Sequence, residues 1–102
     1  MSYVETRQYS RLDVMVGESA ELSCNTSLTV DVKWTYENDK GLVDYVYLNG
    51  HIIKPRLSTK PTANGFHSLV IADTEAKDSG LYDCYDGKNS RKVGYQLVVA
   101  GM

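Results

Sequence analysis

Three residues and one short run constrain this chain more than anything else in it. Cys24 and Cys84 are its only cysteines, Trp34 is its only tryptophan, and the second cysteine closes the run Asp78-Ser79-Gly80-Leu81-Tyr82-Asp83-Cys84. Two cysteines and two histidines without zinc-ligand spacing do not describe a metal site, and no Cys-X-X-Cys marks a redox pair. His51 and His67 lie far apart on different predicted strands. The chain has no Gly-x-Ser-x-Gly, no Gly-rich phosphate loop and no His-Glu-x-x-His. The acidic residues Asp73, Glu75 and Asp78 crowd a predicted corner, where carboxylates serve turns. The chain is therefore not expected to be an enzyme, and neither a cofactor nor a small-molecule substrate is expected.

Around these residues the chain alternates. Leu12, Val14 and Val16 alternate with polar or flexible residues before Gly17-Glu18-Ser19. Ala20, Leu22 and Cys24 alternate with Ser19, Glu21 and Ser23, as in a strand with one wet face. Val32, Trp34 and Tyr36 alternate with Lys33, Thr35 and Glu37, and Asn38 to Gly41 follow as a loop. Asn49-Gly50 between apolar runs predicts a tight hairpin, because both central residues of a type I′ turn need positive φ. Further strands are predicted from Phe66 to Ile71, with Leu69 and Ile71 inward, from Leu81 to Asp86, and from Lys92 to Val99. The loop between the last two runs from Gly87 to Arg91. Many short alternating segments between turns predict an all-β sandwich.

The Cys–Trp–Asp-x-Gly-x-Tyr-x-Cys set resembles the immunoglobulin superfamily, with a cysteine on strand B, a tryptophan on strand C, and a tyrosine two residues before a cysteine on strand F. The resemblance covers nearly the whole chain. It implies a two-sheet Greek-key sandwich with one inter-sheet disulfide, Cys24–Cys84, against which Trp34 packs. Closing a loop of that length would stabilise the fold by about 4 kcal/mol. Tyr82 takes the tyrosine-corner position, its hydroxyl bonding back to the E–F turn. The Asn49-Gly50 turn implies a C′–C″ hairpin, a variable-type (V-set) feature, whereas the short cysteine spacing suits the intermediate type (I-set). Arg56 matches the strand D arginine that pairs in variable-type domains with an aspartate, here Asp78. Strand G has one glycine, Gly94, where antigen-receptor domains carry a Gly-x-Gly bulge.

A length of 102 residues suits one domain, residues 1–102, and 42% hydrophobic residues can fill its core. A net charge of −2 gives no footprint for nucleic acid or for an anionic membrane. The basic stretches Lys54-Pro55-Arg56 and Lys88 to Lys92 read as solvated loops. No apolar run approaches 18 residues, so no direct membrane insertion is expected. Met1 to Glu5 lack signal-peptide features, and the domain is read as excised from a longer secreted or membrane-anchored chain. Asn25-Thr26-Ser27 is an N-glycosylation sequon. With the cysteines it points to an extracellular domain, on the cell surface or secreted.

In the superfamily, recognition runs through the G-F-C-C′ sheet or the loops at one end. With Trp34 and Cys84 inward, Lys33, Thr35, Glu37, Leu81, Asp83 and Tyr85 face outward, as do Gln96 and Val98. On C′ either Tyr45 and Tyr47 or Val46 and Leu48 are exposed. Tyrosine suits recognition because it offers large amphipathic area at low entropic cost. The partner-binding residues expected are Lys33, Thr35, Tyr45, Tyr47, Asp83, Tyr85, Lys88, Asn89, Arg91 and Gln96. The resemblance implies a cell-surface receptor or adhesion module that binds a protein, itself included. The alternatives are a structural spacer without a specific ligand and the ligand-binding ectodomain of a growth-factor receptor.

Overall fold

Alternating burial folds the chain into two facing sheets. The computed structural model describes residues 8–24, 32–48, 51–53, 57–60, 68–87 and 90–101. Nine strands lie among them. In chain order these are β1 (Ser10–Met15), β2 (Ala20–Leu22), β3 (Lys33–Glu37), β4 (Val43–Leu48), β5 (His51–Ile52), β6 (Leu57–Lys60), β7 (Ser68–Ile71), β8 (Gly80–Asp86) and β9 (Ser90–Ala100). The larger sheet has the order β1-β9-β8-β3-β4-β5 and the smaller one β2-β7-β6. Only the β1–β9 pair among them is parallel; the other pairs are antiparallel.

The centre is the one implied by the sequence. Cys24 and Cys84 form a disulfide with their Cα atoms 6.3 Å apart, tying the chain just after β2 to β8 in the opposite sheet. Trp34 on β3 sits directly opposite Cys84 in the ladder and is fully buried. Leu22, Leu69, Ile71 and Leu97 complete this core from both sheets. Ala20, Leu22 and Cys24 are buried while Glu21 and Ser23 are exposed, so the predicted period of two holds through this segment.

The corner before β8 also follows the expectation. Tyr82 donates its hydroxyl to the Asp78 carbonyl at 2.6 Å. Asp78 closes a single 3₁₀ turn, Ala76–Asp78, by accepting from the Glu75 amide at 2.8 Å. Tyr36 packs against Tyr82, the ring centres 5.0 Å apart and the planes tilted by 45°, and donates to the Ser79 carbonyl at 2.9 Å. Tyr95 packs on Trp34 at 6.3 Å, its hydroxyl reaching the Ser23 carbonyl. Arg56, the expected partner of Asp78, lies outside the described residues, as do Asn49-Gly50, Phe66 and His67. The pairing of Leu48 with His51 nevertheless brackets the predicted two-residue hairpin.

Three local expectations need correction. Val16 does not continue the first strand: β1 ends at Met15, Gly17 turns the chain at φ +93°, and Val16 is exposed. The last strand begins at Ser90, so Arg91 belongs to β9 and not to a loop. The largest correction lies in β4. Trp34 pairs with Tyr47 but Thr35 pairs with Tyr45, leaving Val46 as the extra residue of a β-bulge. The bulge breaks the alternation, so Val46 and Tyr47 are both buried while Tyr45 and Leu48 are both exposed. Tyr47, expected in a binding surface, is a core residue only 4% exposed.

Two outcomes are expected. Tyr47→Ala should cost about 3 kcal/mol in urea unfolding, as removal of a buried aromatic ring does. Tyr36 titrates above its ordinary value of 10.0, first because burial disfavours the phenolate and then because Asp78 and Asp39 are negative nearby. A raised folded-state pKa stabilises the fold fully below pH ~10 and loses that contribution as pH climbs through the folded value. The stability gap between the wild type and Tyr36→Phe should therefore shrink across this alkaline range; a constant gap in parallel urea titrations would contradict it.

Candidate functional site

Because the disulfide and Trp34 fix the inward side of β3 and β8, their alternate residues must face outward. Antiparallel register then sets these residues in rows. Tyr85 lies beside Lys33, Asp83 beside Thr35, and Leu81 beside Glu37. On the other flank of β3, Tyr45 lies beside Thr35 and Val43 beside Glu37. The result is an open hollow of 610 Å³ lined by Lys33, Thr35, Glu37, Val43, Asp44, Tyr45, Asp83 and Tyr85. Five of the residues expected to bind a partner, Lys33, Thr35, Tyr45, Asp83 and Tyr85, thus come together around it.

Its residues differ in what they can offer. The Lys33 ammonium lies 5.7 Å from the Tyr45 ring centre and 5.5 Å from that of Tyr85. Each cation–π contact contributes ~0.5–1 kcal/mol at an exposed site, and together they hold a cation between two aromatic walls. Tyr45 is 50% exposed, and exposed Val43, which also lines the hollow, and Leu48, which pairs with Lys33, extend an apolar rim. At the opposite end Glu37 and Asp44 bring carboxylates. Among the described residues neither forms a side-chain ion pair.

Asp83 needs a different reading. It faces outward as expected, yet it is 2% exposed because other side chains cover it. Arg91 donates from Nε to one carboxylate oxygen at 2.5 Å, and Tyr9 donates its hydroxyl to the other at 3.0 Å. The same guanidinium lies over the Tyr9 ring and donates to the Gln8 carbonyl at 2.6 Å. Gly94, opposite Asp83 in the ladder, makes room: a Cβ there would sit 2.8 Å from both the Asp83 carboxylate and the Tyr9 ring. Asp83 and Arg91 therefore act as a clasp that fastens the segment before β1, instead of presenting free charges to a partner. Gln96 is exposed on β9 beside Leu81, at the margin of the same face. Lys88, Asn89 and the sequon residue Asn25 lie outside the described residues.

Sequence reasoning missed Tyr9, Val43 and Asp44. A mid-strand glycine such as Gly94 signals that something approaches closely, and Tyr9 is what does so. Val43, just after a polar loop, carries no such signal until its pairing with Glu37 is known. Among the described residues no three His, Cys, Asp or Glu side chains are grouped to hold a metal ion. No helix among them is long and apolar enough to cross a membrane.

The clasp gives a stability prediction. Arg91→Ala leaves a buried carboxylate without its cation and should cost about 3 kcal/mol, read from urea unfolding. A loss below about 0.5 kcal/mol, the surface-pair level, would show that water already satisfies Asp83.

The family model for the immunoglobulin V-set domain matches residues 7–100. No curated protein matches the chain in sequence. Among solved structures, it is similar to the extracellular fragment, with stalk region, of novel immune-type receptor 11 from Ictalurus punctatus. The TM-score is 0.76 at 16% identity, covering 94% of this chain and 88% of that one. The extracellular domains of the voltage-gated sodium channel beta4 subunit superpose with a TM-score of 0.71 at 19% identity, covering 100% and 93%. The ZIG-8–RIG-5 IG1–IG1 heterodimer gives 0.69 at 19% identity, covering 98% and 90%. At these identities the likeness is one of fold.

Proposed function

The chain belongs to the immunoglobulin V-set family, and from that premise we propose that it is an extracellular recognition domain of a cell-surface receptor or adhesion molecule, binding a protein through the outer face of β9, β8, β3 and β4. These strands are the G, F, C and C′ strands of the family. The observation that carries the reading is the hollow centred on Thr35, where Lys33, Tyr45 and Tyr85 meet an exposed apolar rim. Exposed tyrosines next to a mixed polar and apolar surface are what protein interfaces are enriched in. The hollow is open to solvent, which suits a projecting side chain of a protein better than an enclosed small ligand. Binding there is non-covalent complementarity and requires no reacting group.

The similar structures support the same class of role. They include an immune-type receptor, a heterodimer of two immunoglobulin domains, and a parallel homodimer described as explaining a role in cell–cell adhesion. The disulfide and the sequon at Asn25 support an extracellular setting. A glycan on Asn25, next to Cys24, would keep its surroundings wet and leave the sheet face to a partner.

The test is binding of the chain, multimerised on fluorescent streptavidin, to a panel of displayed ectodomains that includes this chain. Tyr85→Ala and Tyr45→Ala should each weaken binding by about tenfold or more, as loss of an aromatic anchor does, without changing the thermal midpoint appreciably. Unchanged affinity in both variants would remove the face from the account.

A further inference from the structure

Charge along the outer side of β3 is divided between its two ends. Lys33 stands at one end of the outward row and Glu37 at the other, with uncharged Thr35 midway. At ~3.3 Å per residue the two charges are separated by about 13 Å. The flanking strands add neutral side chains to both ends of this row and one further carboxylate, Asp44, near the Glu37 end. Tyr85 accompanies Lys33 at one end, while Leu81, Val43 and Asp44 accompany Glu37 at the other. Asp83, beside Thr35 in the middle row, is neutralised within its own chain by Arg91.

Such a row is complementary to itself when reversed. We propose, resting on the reading of this face given above, that the partner it fits is a second copy of the same chain, docked face to face with its β3 antiparallel. The two-fold axis runs between the two faces, across the strands at the level of Thr35. In an isologous contact, residue i meets j and j meets i. Lys33 of each copy then meets Glu37 of the other, Tyr85 meets Leu81, and the two exposed Tyr45 rings meet beside the axis. A two-fold axis along the strands instead sets Lys33 on Lys33 and Glu37 on Glu37. Like charges brought together in an interface are strongly unfavourable, so the same row that favours the antiparallel arrangement excludes the parallel one. Facing sheets pack with their strand directions within about 30° of each other, and this arrangement falls in that class.

Sedimentation equilibrium over a concentration series, up to about 0.5 mM so that even weak association registers, tests the inference. The wild-type chain should associate to a dimer. Lys33→Glu and Glu37→Lys should each weaken that dimer at least about tenfold, since each variant creates two like-charge contacts. An equimolar mixture of the two variants should recover it as a heterodimer, and the double variant Lys33→Glu/Glu37→Lys should recover it as a homodimer. These two recoveries also answer a single variant that folds poorly. A wild-type dimer indifferent to both single reversals overturns the arrangement. A wild-type monomer throughout the series overturns the second-copy partner. If Tyr85-dependent binding to another ectodomain persists in that case, the recognition face itself stands; if no such binding is found either, both readings fall.

Discussion

The contact on which the rest of the structure depends is the one between the Cys24–Cys84 bridge and Trp34. It joins the two sheets covalently at their centre and fills the space beside the bond with the largest side chain in the chain. Such a bridge acts mainly on the unfolded chain, by removing the freedom of a long loop. Its second effect is directional. With Cys84 and Trp34 opposite each other and both inward, every alternate residue of β3 and β8 is committed to the outer face. The proposed binding surface is therefore a consequence of the core. Lys33, Thr35, Glu37, Leu81, Asp83 and Tyr85 have no other side to occupy.

That commitment is also why so much was legible from sequence. A period of two anchored on known inward residues settles the facing of β2, β3, β7 and β8, and the structure agrees at Ala20, Leu22, Leu69, Ile71 and Tyr82. The Tyr82 hydroxyl bond and the pairing of β4 with β5 could be anticipated because each follows from a local residue signature. Where no such anchor existed, parity failed. β4 has apolar or aromatic residues on both faces, so nothing in its sequence marks the bulge at Val46 that turns Tyr47 into the core. The burial of Asp83 was equally hidden, since it depends on Tyr9, 74 residues away in sequence. Long-range cover of that kind leaves only indirect traces, here the small residue Gly94.

The outer face divides its charged groups between two tasks. Asp83 and Arg91, in direct contact, hold the first strand's approach to the sheet and have their hydrogen bonds satisfied inside the chain. Lys33 is propped between two aromatic rings, and Glu37 and Asp44 stand where a partner can reach them. Under the proposed docking, opposite charges brought into that hollow would add specificity and rate of encounter more than raw affinity. The apolar rim of Val43, Tyr45 and Leu48 offers area that charge alone does not.

The central claim is that recognition belongs to this face and not to the opposite sheet, and one comparison tests it most directly. Thr35→Arg places a bulky cation in the middle of the β3 row, whereas Glu21→Arg places the same residue on the exposed side of β2 in the other sheet. Measured side by side for binding to displayed ectodomains, Thr35→Arg should abolish binding and Glu21→Arg should leave it intact. Binding that survives Thr35→Arg but is lost with Glu21→Arg would contradict the account.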